Sequence, residues 1–180
     1  FTNFLLTFRS LNLLIIYEKL KLINKTPKLT NKIIEILQDD YVLFRNFSDE
    51  YILNQMNKEF NKFIKKFSEI FDIYFEIRQN FITKNNLLIN SKFKKFLKNL
   101  KNSEITVLFK LSNLTNSTIL SFFFMKKKIN CKRLLKLVNI EYNYQQERWG
   151  VLDEHQLREK FLINAFKNIN FFLNNMTSNL

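Results

Sequence analysis

Hydrophobic positions along this chain recur mostly at helical spacing. An apolar stretch over residues 4–23 reads as an amphipathic first helix, stopped by Asn24, Lys25, Thr26 and Pro27. A second helix, capped by Thr30 or Asn31, would carry Ile33, Ile34, Ile36, Leu37 and Leu43. Ser48, with Asp49 and Glu50 in the first turn, then opens the most regular segment. Leu53, Met56, Phe60, Phe63, Phe67, Ile70, Tyr74, Ile77 and Phe81 follow at alternating steps of three and four, a stripe of about eight helical turns. Its average repeat of about 3.5 residues fits either an intermolecular coiled coil or a long helix of the protein's own bundle. Phe at four of the nine stripe positions favours the broad, irregular core of the bundle.

Further along, Ser91 is a candidate N-cap, and Phe93, Phe96, Leu97 and Leu100 share one face of a helix whose other face holds Lys92, Lys94, Lys95, Lys98 and Lys101. Ile105, Val107, Phe109 and Leu111 alternate with Thr106, Leu108, Lys110 and Ser112 before a polar stretch over 113–117 and an apolar run over 118–124. This region reads as a β-hairpin or as helix, since Leu108, Leu111 and Leu114 also keep helical spacing. A short helix over about 130–139 turns Leu134, Leu135 and Val138 inward and Lys132, Arg133 and Lys136 outward. Trp149 and Gly150 mark a turn. Asp153 with Gln156 then starts a last helix whose inner face would be Leu157, Phe161, Ala165, Ile169, Phe172 and Met176, with an Asn-rich end frayed from about residue 174. No repeat or linker divides the pattern. The expectation is a mainly α protein: one helical domain over 1–180, with five to seven helices and a small β-hairpin around 105–124 as the option left open.

Composition narrows the chemistry. With one Gly, one Pro, one Cys and one His among 180 residues, the chain lacks the means for a glycine-cradled phosphate loop, a cysteine-ligated metal, an internal disulfide or a multi-histidine centre. Cys131 reads as a small packing residue. His155 stands beside Asp153 and Glu154 in a first helical turn, as a surface histidine would. Glu69, Asp72 and Glu76 form a solvated acidic patch with no histidine to complete a metal site. No catalytic residue, metal, cofactor or small-molecule substrate is therefore expected, and the protein is expected not to be an enzyme. The two most apolar runs, 4–16 and 105–125, are interrupted by Arg9 and Lys110, which argues for a soluble or peripheral protein.

Charge changes the picture most. The chain carries 29 Lys and Arg against 16 Asp and Glu, a net +13. Residues 84–136 hold thirteen of the basic groups, namely Lys84, Lys92, Lys94, Lys95, Lys98, Lys101, Lys110, Lys126, Lys127, Lys128, Lys132, Arg133 and Lys136, against the single acid Glu104. That window is +12, and the rest of the chain is nearly neutral. A concentrated lysine surface addresses a polyanion, with nucleic acid ahead of an anionic membrane, and it reads charge and not sequence because lysine lacks the guanidinium fork.

The residue bias has another source. Phe 21, Ile 19, Asn 25 and Lys 23 dominate, Arg numbers six, and residues with G/C-rich codons have almost vanished. In this composition and in its concentrated basic window, the chain resembles an organelle-encoded ribosomal protein of an extremely A/T-rich genome. The resemblance implies a structural component of a mitochondrial ribosome in the matrix. It would neutralise rRNA phosphates with the thirteen basic residues of 84–136 and pack against neighbouring ribosomal proteins. The alternative is an accessory structural subunit of an inner-membrane respiratory or ATP synthase complex, its basic helix meeting anionic lipid.

Overall fold

The structure is a computed structural model that describes residues 26–79 and 89–177; the proposed helix over 4–23 and Lys84 lie outside the described residues. The first described helix, α1 (Thr26–Gln38), starts at Thr26 and takes Pro27 into its first turn, where a proline costs no hydrogen bond. Thr30 and Asn31 therefore lie inside the helix and do not cap it. Leu43 is not on it either: the chain turns at Asp40 and makes a single 3-10 turn over Tyr41–Leu43.

Helix α2 (Glu50–Phe71) is capped by Asp49, whose carboxylate accepts the Tyr51 N–H at 2.8 Å. It buries Ile52, Met56, Phe60, Phe63, Ile64, Phe67 and Phe71. The stripe thus belongs to the protein's own core. It is shorter than the sequence spacing implied, because Asp72 adopts a left-handed conformation (φ 55°, ψ 43°) and ends the helix. Residues 73–77 follow without regular structure, with Ile73 and Phe75 buried and Tyr74, Glu76 and Ile77 exposed, until Arg78 bridges Phe44 in parallel. Tyr74 and Ile77 kept helical spacing by coincidence, and both are exposed beyond the end of the helix.

Six more helices follow: α3 (Ser91–Asn99), α4 (Asn102–Thr115), α5 (Thr118–Met125), α6 (Cys131–Val138), α7 (Ile140–Trp149) and α8 (Asp153–Thr177). The protein is mainly helical, with eight α-helices and no strand among the described residues. The hairpin is not formed. Residues 105–124 instead make two helices broken at Asn116, which takes the left-handed conformation at φ 49°.

These two helices are the centre of the molecule. Helix α4 packs on α1, α5 and α8, and α5 also packs on α1 and α2. Every residue of α5 is buried, and α4 buries Ile105, Thr106, Val107 and Leu108 in succession. Hydroxyls inside this centre bond to carbonyls: Thr106 to Asn102 at 2.6 Å, Thr115 to Leu111 at 2.9 Å, Ser121 to Ser117 at 2.6 Å and Thr118 to Ile33 of α1 at 3.2 Å. A helix covered on all sides has no polar face to reveal its period, so its sequence reads equally well as buried strand.

Aromatic rings join α2, α3 and α5. Phe67 lies 4.7 Å from Phe71, 5.6 Å from Phe93 and 5.4 Å from Phe122, and Phe71 lies 5.1 Å from Phe96, all in tilted or edge arrangements. At the opposite end of α2, Asp49 also accepts the Tyr144 hydroxyl at 2.6 Å and the Arg148 guanidinium, which fastens α7. The Tyr144 hydrogen bond holds the Asp49 carboxyl below the usual range. Helix α8 closes the core with Leu162, Phe166, Ile169, Phe172 and Leu173. Leu157 and Phe161, assigned to its inner face from sequence, are instead 66% and 50% exposed.

Candidate functional site

Two surfaces stand out, one basic and one apolar. The basic surface is built on α3. Asn90 caps this helix by accepting the Phe93 N–H at 3.1 Å, and its amide donates to the Asp72 carbonyl at 2.9 Å, so the end of α2 is tied to the start of α3. Phe93 and Leu97 are buried and Phe96 is half-buried, leaving Lys92, Lys94, Lys95 and Lys98 exposed. Lys126, Lys127 and Lys128 leave the end of α5 beside it. The Lys126 ammonium lies 5.7 Å from the Phe96 ring centre, which joins the loop to α3. Lys127 sits at φ 54° in the tight turn. Lys101 is exposed at the junction of α3 and α4.

The other candidates from the 84–136 window are not part of this cluster. Lys110 is half-buried on α4. Lys132 is exposed on α6, and its neighbour Arg133 is bound by Glu59 of α2. Burial opposes ionisation of Glu59, but the Arg133 and Lys62 contacts outweigh it and keep the carboxyl below the usual range. Lys136 borders a shallow pocket with Tyr51, Gln55, Ile140, Asn143, Tyr144 and Glu147. That pocket meets the N-terminal half of α2, and α3 meets its C-terminal end, about 24 Å further along the helix. A volume of about 170 Å³ makes it too small for a typical organic ligand, which occupies ~300 Å³ or more.

The apolar surface was missed from sequence. Trp149, Val151, Leu152 and Leu157 are exposed at the turn between α7 and α8, Trp149 at 74%. Gly150 makes this turn at φ 87°, a conformation that side chains resist. Arg148 beside it is held by Asp49 and lies 5.2 Å from the centre of the Tyr144 ring, against which Trp149 also packs edge-on at 6.3 Å. Four large apolar groups are thus exposed within nine residues, which makes this turn a candidate protein-binding surface. The clue in the sequence is the run Trp149, Val151 and Leu152 in a turn, where apolar residues have no reason to gather for folding.

Other titratable groups serve the structure. Among the described residues no group of His, Cys, Asp and Glu is placed to hold a metal ion. Asp72 of the acidic patch pairs with Lys92 at 2.7 Å. Cys131 is half-buried, and burial pushes its thiol above the ordinary value, which disfavours the reactive thiolate. His155 packs edge-on against Tyr142, ring centres 5.0 Å apart. Among the described residues no helix is long and apolar enough to cross a membrane.

No family model matches the sequence, and no curated protein matches it. Solved structures do match the fold. Atp12 from Paracoccus denitrificans superposes with a TM-score of 0.77 at 17% identity over 86% of this chain and 66% of its own. The chain shares the fold of Atp12. A point mutant of the Paracoccus Atp12 gives a TM-score of 0.77 at 18% identity, covering 92% of this chain and 70% of that one. A candidate chaperone from Agrobacterium tumefaciens gives 0.75 at 15% identity, covering 84% and 57%. The chain thus spans between 57% and 70% of the length of these proteins.

The likeness to Atp12 corrects the ribosomal reading. The structural neighbours are Atp12 and a candidate chaperone, so the ribosomal-protein assignment falls, with rRNA and neighbouring ribosomal proteins as partners, the translation role and the place on the matrix ribosome. The alternative, a structural subunit of a respiratory or ATP synthase complex, is not supported either. The error has a physical origin: codon bias and net charge report a genome and a surface potential, and neither encodes a fold.

Proposed function

We propose that this protein is an assembly chaperone of mitochondrial ATP synthase, which holds an unassembled subunit of that enzyme and catalyses no reaction. The observation that carries the reading is the fold shared with Atp12 over 86% of the chain. The surface supports it. A chaperone of this kind must offer apolar area to a client whose own interfaces are still uncovered, and Trp149, Val151, Leu152 and Leu157 offer it on a well-anchored turn. The shallow pocket and the single histidine and cysteine leave little for catalysis.

Aggregation of a purified ATP synthase subunit, followed by light scattering with and without this protein, tests the proposal. The wild-type chain suppresses aggregation at near-stoichiometric amounts. Trp149→Ser combined with Leu157→Ser reduces that protection several-fold, while the variant's own stability changes by no more than ~0.5 kcal/mol per exposed site. Equal protection by variant and wild type would remove the apolar turn from the client site. No protection of any ATP synthase subunit by the wild type would refute the function.

A further inference from the structure

We propose that the lysine surface formed by α3 and the loop after α5 docks an acidic segment of the client, as a second contact in addition to the apolar turn. The inference rests on the chaperone reading and adds what that reading leaves open, the use of the concentrated positive charge. Lys94, Lys95 and Lys98 project from the outer face of α3, and Lys126, Lys127 and Lys128 lie next to them through the contact of Lys126 with Phe96. None of these six makes an ion pair among the described residues, whereas Lys92 beside them is paired with Asp72 and Arg133 further off with Glu59. Six unneutralised ammonium groups on one small surface create a potential that a run of Asp and Glu would relieve.

The same surface is poorly built for other polyanions. Lysines alone can neutralise phosphates, but binding of single-stranded nucleic acid would add exposed rings for base stacking, and bidentate phosphate contacts would add arginine. Here Phe93 is buried, Phe96 is half-buried with Lys126 near its ring, and the cluster contains no arginine. A membrane-surface helix would present apolar residues to the acyl boundary. The apolar residues of α3 are directed at Phe67, Phe71 and Phe122 of the core instead. Carboxylates on a protein need neither stacking nor insertion, only spaced cations, and lysines supply these.

The test compares two full-length variants that lose equal charge. One carries Lys94→Gln, Lys95→Gln and Lys98→Gln; the control carries Lys28→Gln, Lys58→Gln and Lys160→Gln at exposed sites outside the cluster. Each is tagged and used to retain a purified, unassembled ATP synthase subunit, with binding also measured to phosphatidylcholine vesicles with and without cardiolipin and to poly(U). The cluster variant should retain the subunit about tenfold less well than wild type, and the control should equal wild type. Lys94→Arg, Lys95→Arg and Lys98→Arg together should restore retention, since only charge is read. Equal retention by cluster variant and control overturns the inference and leaves the chaperone reading intact. Loss of vesicle or poly(U) binding by the cluster variant with subunit retention unchanged overturns it in favour of a phosphate ligand. Failure of the wild type to retain any ATP synthase subunit overturns both readings together.

Discussion

Asp40 shows how a single residue ties distant parts of this fold together. Its carboxylate is fully buried, accepts the Val42 N–H at 3.2 Å and, from 79 residues further along the chain, the Ile119 N–H at 2.9 Å, and so satisfies N–H groups in the first turns of two helical segments. Among the described residues no cation pairs with it. Burial raises its pKa to about 7, against hydrogen bonds from Ser117, Ile119, Val42 and Thr118 that pull it down. Between the unfolded value near 4 and this folded value the native state binds the extra proton. The contribution of Asp40 to stability is therefore full below about pH 4 and is lost as pH rises through about 7. Thermal unfolding of wild type and Asp40→Asn should show the difference: the wild-type Tm falls relative to the variant between pH 5 and pH 8. Parallel profiles would mean that Asp40 titrates at an ordinary value in the fold. Nothing in the sequence marks this residue, because Asp39 and Asp40 are adjacent and only the fold decides which is buried. The exposed lysines were legible individually, since each is the polar partner of an apolar neighbour on a short helix. Their division was not: Arg133 finds Glu59 across 74 residues of sequence, and Lys136 lies toward the other end of α2.

At the scale of elements, left-handed residues decide where helices stop. The chain has one glycine, so asparagine, aspartate and lysine fill these positions at Asn116, Asp72 and Lys127. Asn116 separates α4 from α5 and also accepts the Tyr41 N–H through its carbonyl at 2.8 Å, a backbone bond that any residue can provide. Asn116→Gly should therefore leave stability unchanged or slightly raised. Asn116→Val should lower it by ~1–2 kcal/mol, because a β-branched side chain resists positive φ. Denaturant unfolding of the two variants checks this; equal stability would show that the helices are not held apart by the backbone at this point. These stops also explain the limits of the sequence reading. Helices with one wet face, such as α3 and α6, were legible from their spacing. The hairpin alternative arose in α4 and α5: α5 is buried on all sides, which erases its period, and in α4 only Asn113 is exposed, so little polar face marks the period there. The long stripe overran its helix because Tyr74 and Ile77 stayed in register after Asp72 had turned the chain. In α8 the apolar residues exceed what one face can bury, and spacing alone could not say that Leu157 and Phe161 face outward while Leu162 and Phe166 face inward.

At the scale of the whole molecule, fold class and partner had different warrants. A helical domain followed from periodic burial, and the structure agrees. The partner was inferred from charge, and charge is shared by every protein that meets an anion. The chaperone proposal, which rests on the fold likeness to Atp12, would direct that charge toward a protein client instead of RNA, with the exposed turn at Trp149 as an apolar contact that composition could not reveal. Sedimentation of the native protein from a gently detergent-solubilised extract of its source tests this account most directly, with the fractions probed for ATP synthase subunits and ribosomal RNA. The account predicts that the protein travels in a small complex with an unassembled ATP synthase subunit, unaffected by RNase. Migration with ribosomal particles that collapses after RNase, or stoichiometric residence in the assembled ATP synthase, would contradict it.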